Sequence, residues 1–102
     1  MVSSAPFDIG TLIEATPGVY GGRPCLAGTR FPVLQVAVHY REGIAPRDLA
    51  ERFGGLDLAA VHAAVAYYLV NREAMDAEID ALERDYQEAL EADRKNRLRA
   101  SA

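Results

Sequence analysis

The sequence predicts a mainly α-helical fold: a small N-terminal β-hairpin, a tri-helical core with helix-turn-helix spacing, and a long C-terminal helix. Three observations carry this reading. Pro17, Gly18, Gly21, Gly22, Pro24, Gly28 and Pro32 crowd one short stretch, which breaks any early helix. After Phe31, apolar residues recur at helical spacing in blocks separated by Gly43 and by Gly54-Gly55. Beyond Gly55 there is no Gly or Pro at all. The boundaries expected are a β-hairpin and tri-helical domain over 1–74 and a charged helical arm over 75–102.

Each element has a local cause. Val19-Tyr20, Pro24-Cys25-Leu26 and Thr29-Arg30-Phe31 are short β-capable pieces, and Ala27-Gly28 suits a hairpin turn with Gly28 at positive φ. So small a hairpin is marginal alone and calls for another strand or a second chain. Pro32 suits a first helical position, and Val33, Leu34, Val36, Ala37, Val38 and Tyr40 then give a helix apolar on more than one face, which implies burial on more than one side. Pro46 opens a second helix, with Leu49, Ala50 and Phe53 inward, and Gly54-Gly55 stop it. Asp57 is an N-cap for a third, with Leu56 and Val61 placed as a hydrophobic staple. Met75, Ile79, Leu82, Tyr86 and Ala89 form a heptad-like seam on an otherwise charged helix, and Asn71-Arg72 is the expected bend before it.

At 102 residues and 11.1 kDa the chain has room for one core. Half of it is hydrophobic and a quarter charged, a globular rather than a disordered composition. A large enzyme with its own cofactor fold is not expected, nor is any cofactor. The lone Cys25 excludes an internal disulfide, and with His39 and His62 it lacks the spacing of a metal-ligand cluster. The opening MVSSAPFDIG has neither the basic nor the apolar region of a signal peptide, and no apolar run approaches a membrane span, so a cytoplasmic protein without membrane contact is expected. The net charge of −4 hides a polarised tail. Residues 73–93 hold nine acids against Arg84 alone, and Arg94, Lys95, Arg97 and Arg99 follow with no acid.

Candidate functional residues follow from these elements. If the second and third helices form a helix-turn-helix, Arg47, Arg52 and Arg41 are placed to meet phosphates. His62 faces outward on a recognition helix whose other outward positions, Ala59, Ala60 and Ala63, read no base edges. A three-helix core with no DNA function fits the same pattern. Thr29-Arg30 has no neighbouring acid or His to complete a catalytic pair, so it reads as a strand end. Cys25 reads as a small buried hydrophobe. No catalytic constellation assembles. The tail reads as a solvated helix with i,i+4 pairs, as a helix for a partner's groove, or as a dimer seam.

The segment Gly21-Gly22-Arg23-Pro24-Cys25-Leu26-Ala27-Gly28-Thr29-Arg30-Phe31-Pro32-Val33 resembles the opening signature of the domain-of-unknown-function 433 family, G-(K/R)-P-x-(I/L)-x-G-T-R-(I/F)-P-V. The resemblance continues through the helix ending at Gly43, Ala45-Pro46-Arg47-Asp48-Leu49, and Leu56-Asp57-Leu58 leading to Tyr67-Tyr68, and covers roughly residues 7–79. It implies a homeodomain-like or winged-helix-like domain. It also implies an antitoxin of a type II toxin–antitoxin pair, a homodimer or higher oligomer that binds a PIN-like ribonuclease toxin and represses its own operator DNA. The alternative is a stand-alone DNA-binding regulator or dimerisation module without a toxin. On the antitoxin reading, Met75, Ile79, Leu82 and Tyr86 dock on the toxin while Arg94, Lys95, Arg97 and Arg99 reach its acidic metal site. The motif residues Gly22, Arg23, Pro24, Gly28, Thr29, Arg30 and Pro32 would belong to the dimer contact through the β region. One departure is Ala45, which stands where the family has a Ser or Thr cap.

Overall fold

Helices stand where the apolar spacing and the Gly and Pro punctuation place them. The computed structural model describes residues 8–100. It is mainly helical, with α1 at Val33–Arg41, α2 at Pro46–Arg52, α3 at Leu58–Val70 and α4 at Arg72–Ala100. By contact density the chain divides into two compact units, one up to Asn71 and the other from Arg72.

In the first unit, α1 and α2 both pack on α3. Val36, Ala37, Val61 and Ala64 are wholly buried, and Tyr68 is the largest fully buried side chain, its ring edge-on to Tyr40 at 6.1 Å. Val33, Leu34, Val36 and Ala37 are buried on one broad face of α1, about 160° wide, while Gln35 and Arg41 are exposed, so the helix is buried on one side rather than on several as its apolar residues suggested. Glycine ends this helix by taking a left-handed conformation. Gly43 has φ 90°, its N–H donates to the Tyr40 carbonyl and that of Ile44 to His39, which satisfies two terminal carbonyls. Phe53 is the C-cap of α2 rather than an inward helical residue, and its ring meets Phe31 at 4.9 Å and His39 at 5.0 Å. Pro32 is likewise a cap, with extended ψ of 146°, instead of the first helical residue of α1.

Asp57 caps α3 as its position predicts, its carboxylate accepting from the Ala59 N–H at 3.0 Å. Asp57→Ala should cost about 1 kcal/mol and lower the melting temperature by about 4–8 °C, as followed by circular dichroism. An unchanged melting curve would show that water replaces the cap without loss. Ala45, at the matching position of α2, makes no side-chain cap bond.

The β region differs from the expected hairpin. Strand β1, Ile13–Glu14, pairs antiparallel with β2, Cys25–Leu26, in the register Ile13 with Leu26 and Glu14 with Cys25. The return arm after Gly28 gives only an isolated bridge from Pro32 to Cys25, with the Leu26 N–H donating to the Phe31 carbonyl. The turn itself is as expected: Thr29 N–H donates to the Leu26 carbonyl and Gly28 has φ 73°. Val19-Tyr20 is no strand. Tyr20–Gly22 is a tight turn in which Tyr20, Gly21 and Gly22 all take positive φ, a conformation the two glycines adopt without strain. Strand β2 thus finds partners on both sides within its own chain, which removes the argument that the hairpin needs a second copy.

The second unit is α4, 29 residues and about 43 Å long at the helical rise. Asn71, at φ −108° and ψ 28°, separates it from α3. The Asn71 side-chain amide donates to the Tyr67 carbonyl, so the expected break occurs at a residue that closes α3 with its own side chain.

Candidate functional site

Two surfaces in the first unit and one on α4 present exposed chemistry. An apolar cleft of about 430 Å³ opens beside α3, lined by Ile9, Ile13, Ala63, Ala66, Tyr67 and Val70. Val70 is 84% exposed and Ile9 66%. Sequence reasoning missed this surface. The signal was present in α3, where LAAVHAAVAYYLV is apolar all round although only one face can meet α1 and α2.

The second surface is the corner of α2 and α3, where Arg47, Glu51, Leu56 and Leu58 line a shallow cleft of about 260 Å³. Arg41, Arg47, Arg52 and His62 are all exposed. Arg47 and Arg52 are five residues apart on α2, about 140° around the helix, so they do not form one stripe. On α3, Ala60 and Ala63 are buried and the exposed Ala59 and Ala66 flank His62, which leaves one polar side chain for base edges.

The Gly-Arg-Pro and Gly-Thr-Arg residues do structural work. The Arg23 guanidinium lies over the Tyr20 ring at 5.9 Å, and the Pro24 carbonyl accepts from the Val33 N–H. Thr29 Oγ1 donates to the Leu26 carbonyl at 2.8 Å and accepts from the Phe31 N–H, so the hydroxyl is consumed by the turn. Gly28 N–H donates to Glu14 Oε2 at 3.1 Å, tying the turn to β1. Gly22 has φ 78°, Pro32 caps α1, and Arg30 is exposed. His39 is similarly satisfied: the Gln35 amide donates to Nε2, so Nδ1 carries the proton that Glu42 Oε1 accepts at 3.2 Å. Burial pushes the Cys25 thiol up, and its Sγ donates to the Arg23 carbonyl at 3.6 Å. Cys25 should therefore resist iodoacetamide at neutral pH in the folded protein and react once urea unfolds it; fast labelling without denaturant would contradict this burial.

On α4 the expected seam splits. Met75 and Ile79 are buried, at 8% and 6% exposure, whereas Leu82 and Tyr86 are exposed at 50% and 61%. Only the second pair is free to meet a partner. Leu90 and Leu98, which the heptad reading passed over, are exposed as well. Leu90 follows Tyr86 by four, a spacing the sequence carried. Among the basic residues, Arg94 pairs with Glu91 at 2.6 Å and Arg97 with Asp93 at 3.0 Å, while Lys95 and Arg99 are exposed.

Among the described residues no group of three His, Cys, Asp or Glu side chains could hold a metal, and no helix is long and apolar enough to cross a membrane. The profile of the family described as "Protein of unknown function (DUF433)" matches residues 13–68, from β1 to the end of the α3 core. The chain is also similar to the crystal structure of a DUF433 member protein from Anabaena variabilis ATCC 29413, with 34% identity over 69% of each chain and a TM-score of 0.60. No curated protein matches the sequence.

Proposed function

We propose, for a chain that belongs to the DUF433 family of proteins of unknown function, that it is the antitoxin of a type II pair and neutralises a PIN-like ribonuclease through α4. The observation that carries this reading is the outer part of that helix. It leaves Leu82, Tyr86, Leu90 and Leu98 between 46% and 61% exposed in a run of charge that ends basic. A helix with this much bare apolar surface gains by docking in a groove. A PIN-type nuclease gathers carboxylates around divalent metal, so Lys95 and Arg99, together with Arg94 and Arg97 released from their own-helix pairs, can occupy that site and keep RNA from it. Operator binding is a secondary part of the proposal and would rest on Arg47, Arg52 and Arg41 at phosphates, with little base readout.

The test is co-expression with the product of the neighbouring reading frame, which on this reading encodes a PIN-like nuclease. Growth rescue and co-purification of the two proteins are expected, both weakened by high salt because the basic end contributes. A nuclease that neither co-purifies with this protein nor loses toxicity in its presence would overturn the reading.

A further inference from the structure

We propose that, when no other protein occupies it, α4 pairs antiparallel with α4 of a second copy about a twofold axis at Tyr86. Glu78, Leu82, Tyr86, Leu90 and Arg94 are spaced four apart and form one i±4 ridge on the helix, with a half-buried acid at one end, apolar side chains between, and at the other end a base that would exchange its own-helix Glu91 for the acid of the second copy. Ridges of this kind are the rows along which helices commonly interlock. The row is self-complementary in one sense only. Rotation about Tyr86 lays Leu82 of one copy beside Leu90 of the other, Tyr86 beside Tyr86, and Glu78 beside Arg94. A parallel, in-register pair would set Glu78 against Glu78 and Arg94 against Arg94.

The exposures agree with this centre. Leu82, Tyr86 and Leu90 are 50%, 61% and 46% exposed, whereas Met75 and Ile79, nearer the start of the helix, are already buried. Three apolar side chains per copy make a small contact, so the pair should be weak and concentration-dependent, with the end charges choosing direction more than strength. The inference rests on the geometry of α4 and not on the identity of the nuclease. If both interactions occur they exclude one another, because they use the same ridge.

Cysteine pairing in the full-length protein tests it. Under mild oxidation, a mixture of Leu82→Cys and Leu90→Cys proteins should form the mixed disulfide dimer, and each alone should form far less. Native Cys25 is buried and stays out of the reaction. Self-linking of Leu82→Cys in preference to the mixed dimer would indicate a parallel pair and overturn the proposal, as would the absence of any cross-link. In sedimentation, the native chain should approach twice its 11.1 kDa mass as concentration rises. Glu78→Arg or Arg94→Glu should each weaken association several-fold, and the double reversal should restore it. A monomer at all concentrations, or a dimer indifferent to Tyr86→Glu, would refute the pairing whatever the outcome with the nuclease.

Discussion

Replacing Tyr68 by alanine should remove about 3–5 kcal/mol of stability, most or all of what a small domain holds. Tyr68 is 1% exposed, the largest of the fully buried side chains, and its ring sits edge-on to Tyr40. The change deletes the transfer energy of a whole ring and leaves a cavity between elements that cannot collapse without moving α1 or α3. Val70→Ala, two residues on, is the control: the side chain is 84% exposed and its loss should stay within about 0.5 kcal/mol. Urea unfolding followed by circular dichroism measures both. A Tyr68→Ala midpoint close to that of Val70→Ala would mean that the helices do not share the core described here.

Truncation after Asp80 has the largest expected effect on function. This cut keeps Met75 and Ile79, which are buried, and removes Leu82, Tyr86, Leu90 and the basic end together. A cut after Arg72 would also remove the two buried residues and confuse folding with binding. If the three apolar side chains, already about half covered, each contribute about 1 kcal/mol to docking, their loss lowers affinity for the nuclease by roughly 10²-fold. The truncated protein should keep a cooperative melt within a few degrees of the parent and fail to rescue growth. Full rescue by the truncated form would place the neutralising surface elsewhere. Loss of the melt would show that the removed residues are needed for folding.

Much of the helical layout was legible because its causes are local. Gly43 and Gly54 end helices by taking positive φ, Asp57 caps α3 with its own carboxylate, and Asn71 closes α3 at the expected break. Each depends on residues within one turn of the chain. The strand pairing was not legible. Ile13-Glu14 carries no alternation to mark it, and Leu26 finds it across a separation that neither turn chemistry nor periodicity reports. The seam on α4 shows the same limit in the candidate site: Met75, Ile79, Leu82 and Tyr86 follow one heptad-like pattern, yet two are buried and two exposed. The apolar cleft beside α3 went unread because an all-round apolar helix does not say which face is left over.

Taken by itself, then, the amino-acid order determined the helices, the glycine, Asp57 and Asn71 ends, the turn at Gly28 and the polarised charge of the tail, since these rest on backbone preference, capping and side-chain period over a few residues. Tertiary structure decided which strand Cys25-Leu26 pairs with, that Thr29 spends its hydroxyl on a turn, and which apolar residues of α3 and α4 remain in water. Those outcomes depend on which surfaces meet across long separations, where burial of shared area outweighs any local preference.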